Sequence, residues 1–109
     1  MELKKLTEKI KEVMELYKSD YPKVKVDRDY FPFKLTEELG ECIQAYLMYT
    51  DRGRQKGKSK EEIKKIFEKE LADVFGFLIL FAEHEGIDLA KAVENKWFSY
   101  LEGNEKKPE

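Results

Sequence analysis

The chain has 109 residues, about the length of one domain, and its 41% apolar content excludes a disordered chain. A net charge of −2 provides no basic surface for general nucleic-acid binding, and the single cysteine excludes an intrachain disulfide or a cysteine-based zinc site. The first eleven residues contain no apolar run, and the longest apolar segment has about half the length that a bilayer requires. We therefore expect no signal peptide, no membrane partner and a cytoplasmic location.

Apolar residues recur at helical spacing along most of the chain, and no segment alternates with the period of a strand. The predicted fold is all-α, a four-helix bundle formed by residues 1–102 as one domain, with residues 103–109 as a disordered tail. The predicted helices cover residues 2–19, 32–50, 59–85 and 88–101. Tyr21, which precedes a proline, marks the end of the first helix, and Pro32 suits the first position of the second. The third helix begins with a capping box of Ser59 and Glu62 and ends before Gly86, and Asp88 can cap the fourth.

The third helix is apolar on every side from Val74 to Ala82. One small bundle cannot easily cover such a helix, so we expect part of this surface to pack against a second copy of the chain in a homodimer or homotetramer. The alternative is a central helix within a monomer. In the fourth helix, Leu89, Val93, Trp97 and Leu101 are expected to point inward.

Carboxylates lie beside the apolar stripes of the second and third helices. Glu38 and Glu41 are three residues apart and share a helix face, and Glu70 and Asp73 repeat the spacing. Two carboxylates about 4 Å apart repel by about 4 kcal/mol at an effective dielectric of 20. We expect no lysine or arginine within one turn of Glu38 on its own side, so a divalent cation is predicted to neutralise the group. Oxygen ligands favour Mg²⁺ or Mn²⁺.

Two other interpretations of the acids were weighed. The first is that they are solvated residues at the edges of the helices, since the chain has 23 acids. Because both pairs lie on helices joined by a short loop, we favour a shared site instead. The second is a di-iron bundle, which needs Glu-x-x-His on two helices, whereas the only histidine, His84, has no acid three residues before it.

The motif Glu37-Glu38-Leu39-Gly40-Glu41 followed by Glu70-Leu71-Ala72-Asp73 resembles the EExxE…ExxD signature of the MazG-like, all-α nucleoside triphosphate pyrophosphohydrolases. The similarity extends over about residues 33–102. It implies a bundle in which Mg²⁺, with Mn²⁺ as a substitute, binds a nucleotide triphosphate that is hydrolysed to monophosphate and pyrophosphate. The residues that match the ligands are Glu38, Glu41, Glu70 and Asp73, and Glu37 matches a supporting group or the base that orients water.

Substrate contacts are predicted from cationic and aromatic residues. Arg54 and Lys58, in the loop at 51–58, could bind phosphate or simply be solvated. Lys96 matches a lysine in the last helix of the family, although Tyr100 stands where an asparagine is frequent. Four aromatic residues could stack on a base, with core packing as the favoured alternative: Trp97, Tyr30, Phe31 and Phe33.

The function expected from this resemblance is hydrolysis of surplus or non-canonical NTPs or dNTPs. Two alternatives stay open. One is a phosphoribosyl-ATP or dUTP/dCTP-specific pyrophosphohydrolase of the same superfamily, and the other is a non-catalytic, oligomeric helical module that binds nucleotide or metal.

Overall fold

The computed structural model describes residues 1–103, and its regular elements over that range are all helical. The elements are α1 (Leu3–Asp20), α2 (Tyr30–Tyr49), α3 (Lys60–His84) and α4 (Leu89–Trp97), followed by a short 3₁₀ helix (Phe98–Glu102). The prediction of an all-α fold is confirmed. Of the predicted tail, all but Gly103 lies outside the described residues. Within the described part of the chain, no helix is long and apolar enough to cross a membrane.

Local signals set most helix ends where the sequence predicts them. Ser59 and Glu62 form the full capping box at the start of α3, Gly86 follows the helix with a φ of 70°, and the Asp88 side chain accepts a hydrogen bond from the Lys91 amide. The start of α2 differs, since the helix begins at Tyr30 and Pro32 lies inside its first turn. This is tolerated because first-turn amides have no helical acceptor.

Helices α2 and α3 make the most extensive contact among the described elements. They run antiparallel, because Phe31 at the start of α2 lies 4.9 Å from the ring of His84 at the end of α3, whereas Tyr49 at the end of α2 lies 5.2 Å from the ring of Phe67, nearer the start of α3. Helix α1 then packs on α3 and the start of α2, where Met14, Phe31 and Leu80 form a buried cluster. This arrangement brings the middle of α2 and of α3 beside α1.

Helix α4 is not packed into the bundle. Its main contact is with the 3₁₀ helix that follows it, and none of its nine residues is buried. Of the residues predicted to point inward, Leu89 is half-buried. For Val93, Trp97 and Leu101 the prediction is wrong in the single chain, because they are 41%, 55% and 84% exposed. The physical reason is that α1, α2 and α3 bury their core among themselves and offer α4 no matching apolar surface within the described residues.

The open arrangement also shows in the dimensions. The radius of gyration is 17.1 Å, whereas a compact domain of this length has about 13 Å. On α3, Ile79 and Leu80 are buried but Phe75 and Leu78 remain 42% and 38% exposed. A single chain therefore does not cover the apolar segment of α3.

Candidate metal centre

Three predicted ligands come together between α2 and α3. Glu38 and Glu41 extend from α2 and Glu70 from α3, and each offers a carboxylate oxygen such that all three lie within 4.8 Å of one another. The i, i+3 spacing places the first two on one face of α2, and the antiparallel packing brings Glu70 opposite. Two helices thus contribute to one group of carboxylates.

Two oxygens of this group are buried without a hydrogen-bond partner among the described residues. They are Oε2 of Glu38 and Oε2 of Glu70. The whole Glu38 residue is only 8% exposed. A buried carboxylate is costly unless a proton, a donor or a cation compensates it. The position of these two oxygens is therefore the strongest indication of a cation site in the described chain.

Burial and crowding raise the pKa of the acids at this site. The pKa of Glu38 is raised mainly by burial, then by the hydrogen bond and the negative charge that Glu41 provides. The pKa of Glu70 is raised by burial and by the charges of Asp73 and Glu38. Burial and the charge of Glu38 also raise the pKa of Asp73. The site thus holds negative charge at a free-energy cost that a bound cation would relieve.

Asp73 lies at the edge of the group rather than among the three clustered oxygens. It is exposed, its charge acts on Glu70, and it lines a cleft together with Glu38. Glu37 is also outside the three-carboxylate group, with a side chain that is 58% exposed and ion-paired with Lys34. The structure therefore brings three of the five predicted acids into contact and places the other two beside them.

Lys34 is a component that the sequence analysis missed. Its Nζ lies 3.4 Å from Oε1 of Glu38 and also donates a hydrogen bond to Oε1 of Glu37. The expectation that no cation faces Glu38 on its own side is wrong. Lys34 precedes Glu38 by four residues, and such a step changes the direction of a side chain by only about 40° on a helix. That i, i+4 relation was the available signal.

A cleft of about 370 Å³ opens beside the acids, between α1, α2 and α3. Its polar side chains are Lys34, Glu38 and Asp73. The remaining lining is apolar or aromatic and includes Val13, Met14, Tyr17, Tyr30, Phe77 and Leu80. The volume lies within the range of about 300–1,000 Å³ that is usual for small-molecule sites. Because the cleft has charged residues at one end and apolar residues along the rest of its wall, it suits a ligand that has a charged group and an apolar or aromatic body.

The predicted cationic contacts lie elsewhere in the single chain. Arg54 and Lys58 are exposed in the loop after α2, where Gln55 donates a hydrogen bond to the Met48 carbonyl. This anchor keeps the loop about 10 Å along the helix from Glu41, at 1.5 Å per residue. The loop therefore lies beyond the C-terminal end of α2, about two helical turns from the acid group.

The remaining residues predicted to contact the substrate lie in different parts of the molecule. Lys96 and Trp97 are exposed on α4, and the lining of the cleft within residues 1–103 comes from α1, α2 and α3. Among the candidate base-stacking residues, Tyr30 lines the cleft, Phe31 is buried in the core and Phe33 is 70% exposed.

Comparisons of the chain with protein-family models, with curated proteins and with solved structures gave no match. The resemblance to the MazG-like enzymes therefore rests on the motif residues alone.

Proposed function

We propose that this protein is a Mg²⁺-dependent nucleoside triphosphate pyrophosphohydrolase, which converts an NTP or dNTP to the monophosphate and pyrophosphate in nucleotide-pool house-cleaning. The observation that supports it best is the pair of buried oxygens on Glu38 and Glu70, which have no hydrogen-bond partner among residues 1–103 and lie beside Glu41. Carboxylates that two helices turn toward each other at this burial are costly, and a bound divalent cation would compensate more than one of them at once.

The donor set fits a hard divalent ion. The oxygens of Glu38, Glu41 and Glu70 lie within 4.8 Å of one another, so these three side chains would be the ones to hold a single ion between α2 and α3. All donors are carboxylate oxygens, which suits Mg²⁺ and Mn²⁺. Asp73, at the edge of the group, is the proposed fourth ligand.

When bound, Mg²⁺ would polarise phosphoryl oxygens and lower the pKa of a coordinated water. The residues of the chain then have simpler tasks. Glu38, Glu41, Glu70 and Asp73 hold the charge in place, and Glu37 is proposed to orient the attacking water. The adjacent cleft has room for the nucleoside, with Tyr30 on its wall. Catalysis of phosphoryl transfer depends mainly on such positioning and charge neutralisation.

The test is pyrophosphate release from a panel of NTPs and dNTPs, with phosphoribosyl-ATP included, in Mg²⁺ and in EDTA. We expect Mg²⁺-dependent release that Glu41→Gln abolishes and that Glu12→Gln, an exposed acid on α1, preserves. Release confined to phosphoribosyl-ATP, or to dUTP and dCTP, would assign the narrower specificity. No release from any compound by a folded protein would refute the enzyme and favour a binding module.

We also propose that the protein works as a homodimer or homotetramer. An apolar stripe on α2 and another on α3 stay open in the single chain: Leu39, Ile43 and Leu47 are 49%, 50% and 38% exposed, and Leu71, Phe75 and Leu78 are 48%, 42% and 38% exposed. Apolar surface of this extent usually marks an interface. Sedimentation of the wild type should give a mass of at least two chains, and Phe75→Glu should shift it toward one. A monomeric wild type at high concentration would exclude this proposal.

A further inference from the structure

Lys34 occupies a boundary position between the acid group and the cleft. Its ammonium pairs with Glu38 and with Glu37, and it lies 5.6 Å from the centre of the Phe77 ring. Its side chain is 30% exposed, and it lines the cleft with Asp73. The group is therefore neither a freely solvated lysine nor a fully enclosed one.

The two oxygens of Glu38 have different environments. Oε1 faces Lys34 at 3.4 Å, whereas Oε2 is buried without a partner among residues 1–103. A cation held by Oε2 and by Glu70 would thus sit on the same carboxylate as Lys34, from the other side. Two positive charges that share one carboxylate repel each other, so Lys34 should weaken the binding of a divalent ion.

The same lysine is suited to bind an anion that enters the cleft. An ammonium group has three donors, and the two ion pairs with Glu37 and Glu38 engage two of them. Each partner is a single carboxylate. A phosphate chain carries several charged oxygens and can take the place of either carboxylate as the partner of the ammonium. The flexible stem allows the ammonium to move between them.

We propose that Lys34 exchanges partners at this site: it provides the counter-charge of Glu38 and, once a divalent ion neutralises that carboxylate, it binds the phosphate chain of the ligand in the cleft. The inference rests on the proposed function, since it assigns one of the groups that recognise the triphosphate. It makes Lys34 a residue that lowers metal affinity and raises anion affinity.

The experiment measures two affinities in the full chain with Lys34→Met, which retains most of the apolar stem over Phe77. Titration with Mn²⁺ alone gives the metal affinity, and titration with inorganic tripolyphosphate at saturating Mg²⁺ gives the anion affinity. We expect Mn²⁺ to bind about tenfold more tightly, because the ion no longer competes with a lysine for the charge of Glu38. We expect tripolyphosphate to bind at least about tenfold more weakly, because a charge-assisted hydrogen bond is lost.

Two controls separate this exchange from a structural role. Lys34→Arg keeps the charge and should leave the Mn²⁺ affinity within about twofold of the wild type. Lys25→Met removes a lysine that is 86% exposed and paired with Asp27, so it should change neither affinity. If Lys34→Met does not fold by circular dichroism, Lys34→Gln gives the same comparison.

The opposite signs of the two changes are the decisive result. Weaker binding of both ligands to Lys34→Met would mean that the lysine only holds Glu38 in place, and unchanged anion binding would mean that it never contacts phosphate. Either outcome overturns the inference. Hydrolysis is not measured in this experiment, so a protein that shows both changes but releases no pyrophosphate from NTPs keeps the inference and loses the hydrolase proposal.

Discussion

The α2–α3 pair and the α4 segment differ in which side chains they bury. In the first region a carboxylate, Glu38, is 8% exposed, while in the second a tryptophan, Trp97, is 55% exposed. Hydrophobicity alone would predict the reverse. The difference arises because α2 and α3 are long helices that pack on each other, whereas α4 has nine residues and little to pack on in the single chain.

This difference assigns the two regions different tasks. The α2–α3 pair can hold buried acids in fixed positions, since each helix supports the other. The α4 segment presents Lys96 and Trp97 from an element without a buried residue. It can act on a ligand only if something else orders it, and the candidate is a second copy of the chain.

The first prediction concerns Asp73, at the edge of the acid group. We expect Asp73→Asn to lower the rate of pyrophosphate release at least about a hundredfold, or about 2.7 kcal/mol, because it removes the charge of one of the four proposed metal ligands. The helix content should not change, since Asp73 is exposed. Steady-state assays and circular dichroism test both parts. Full activity in this variant would restrict the site to the three clustered carboxylates.

The second prediction is that a divalent ion stabilises the fold. At a free concentration of about 100 times its dissociation constant, Mg²⁺ or Mn²⁺ should add about 2.7 kcal/mol to the free energy of unfolding. For a domain of this size, the melting temperature then rises by roughly 10 °C. Differential scanning calorimetry measures the shift. Glu41→Gln should lose most of it, and an unchanged wild-type curve would count against any metal at this position.

Much of the helical framework could be predicted from local sequence signals. The capping box of Ser59 and Glu62 and the glycine at position 86 depend only on neighbouring residues, and both were placed correctly. The meeting of Glu38 with Glu70 was also predictable, because a short loop makes adjacent helices antiparallel. In these cases the geometry follows from the residues within a few turns.

The remaining features depend on which helix face finds a partner. The deep burial of Glu38 requires knowledge of how α1 covers this part of α2, whereas the ion pair of Lys34 with Glu38 follows from their i, i+4 spacing within one helix. Trp97 is exposed because the described residues of the same chain offer α4 no matching apolar surface. Helical periodicity identifies an apolar face but does not identify what covers it.

The third prediction is a dependence of stability on pH in the metal-free protein. The pKa values of Glu38, Glu70 and Asp73 are raised in the folded state, so the folded protein binds more protons than the unfolded chain above the ordinary values of 4.5 and 3.8. The free energy of unfolding should therefore increase as the pH falls from neutral toward those ordinary values. Denaturant unfolding in EDTA measures this trend, which Glu38→Gln should reduce.

Other acids give the opposite trend at lower pH. The pKa of Glu62 is lowered by its capping hydrogen bonds with Ser59, and that of Glu85 by its hydrogen bond from Arg28. Their stabilisation is present above the ordinary value and is lost as the pH falls below about 4.5. Stability should thus pass through a maximum between these ranges. A monotonic loss of stability from pH 7.5 downward would show that the acid group is neutralised by something other than protons or added metal.

The last prediction has the smallest effect and addresses α4 directly. In dilute protein that sediments as one chain, Trp97→Ala should change the free energy of unfolding by no more than about 0.5 kcal/mol, because the side chain is exposed there. Phe31→Ala, which removes an aromatic ring that is 5% exposed, should cost about 3 kcal/mol or more. At concentrations where the copies associate, the cost of Trp97→Ala should grow with protein concentration if α4 packs on its partner. A cost that is large at every concentration would mean that α4 is already buried within one chain, and the contrast between the two regions would disappear.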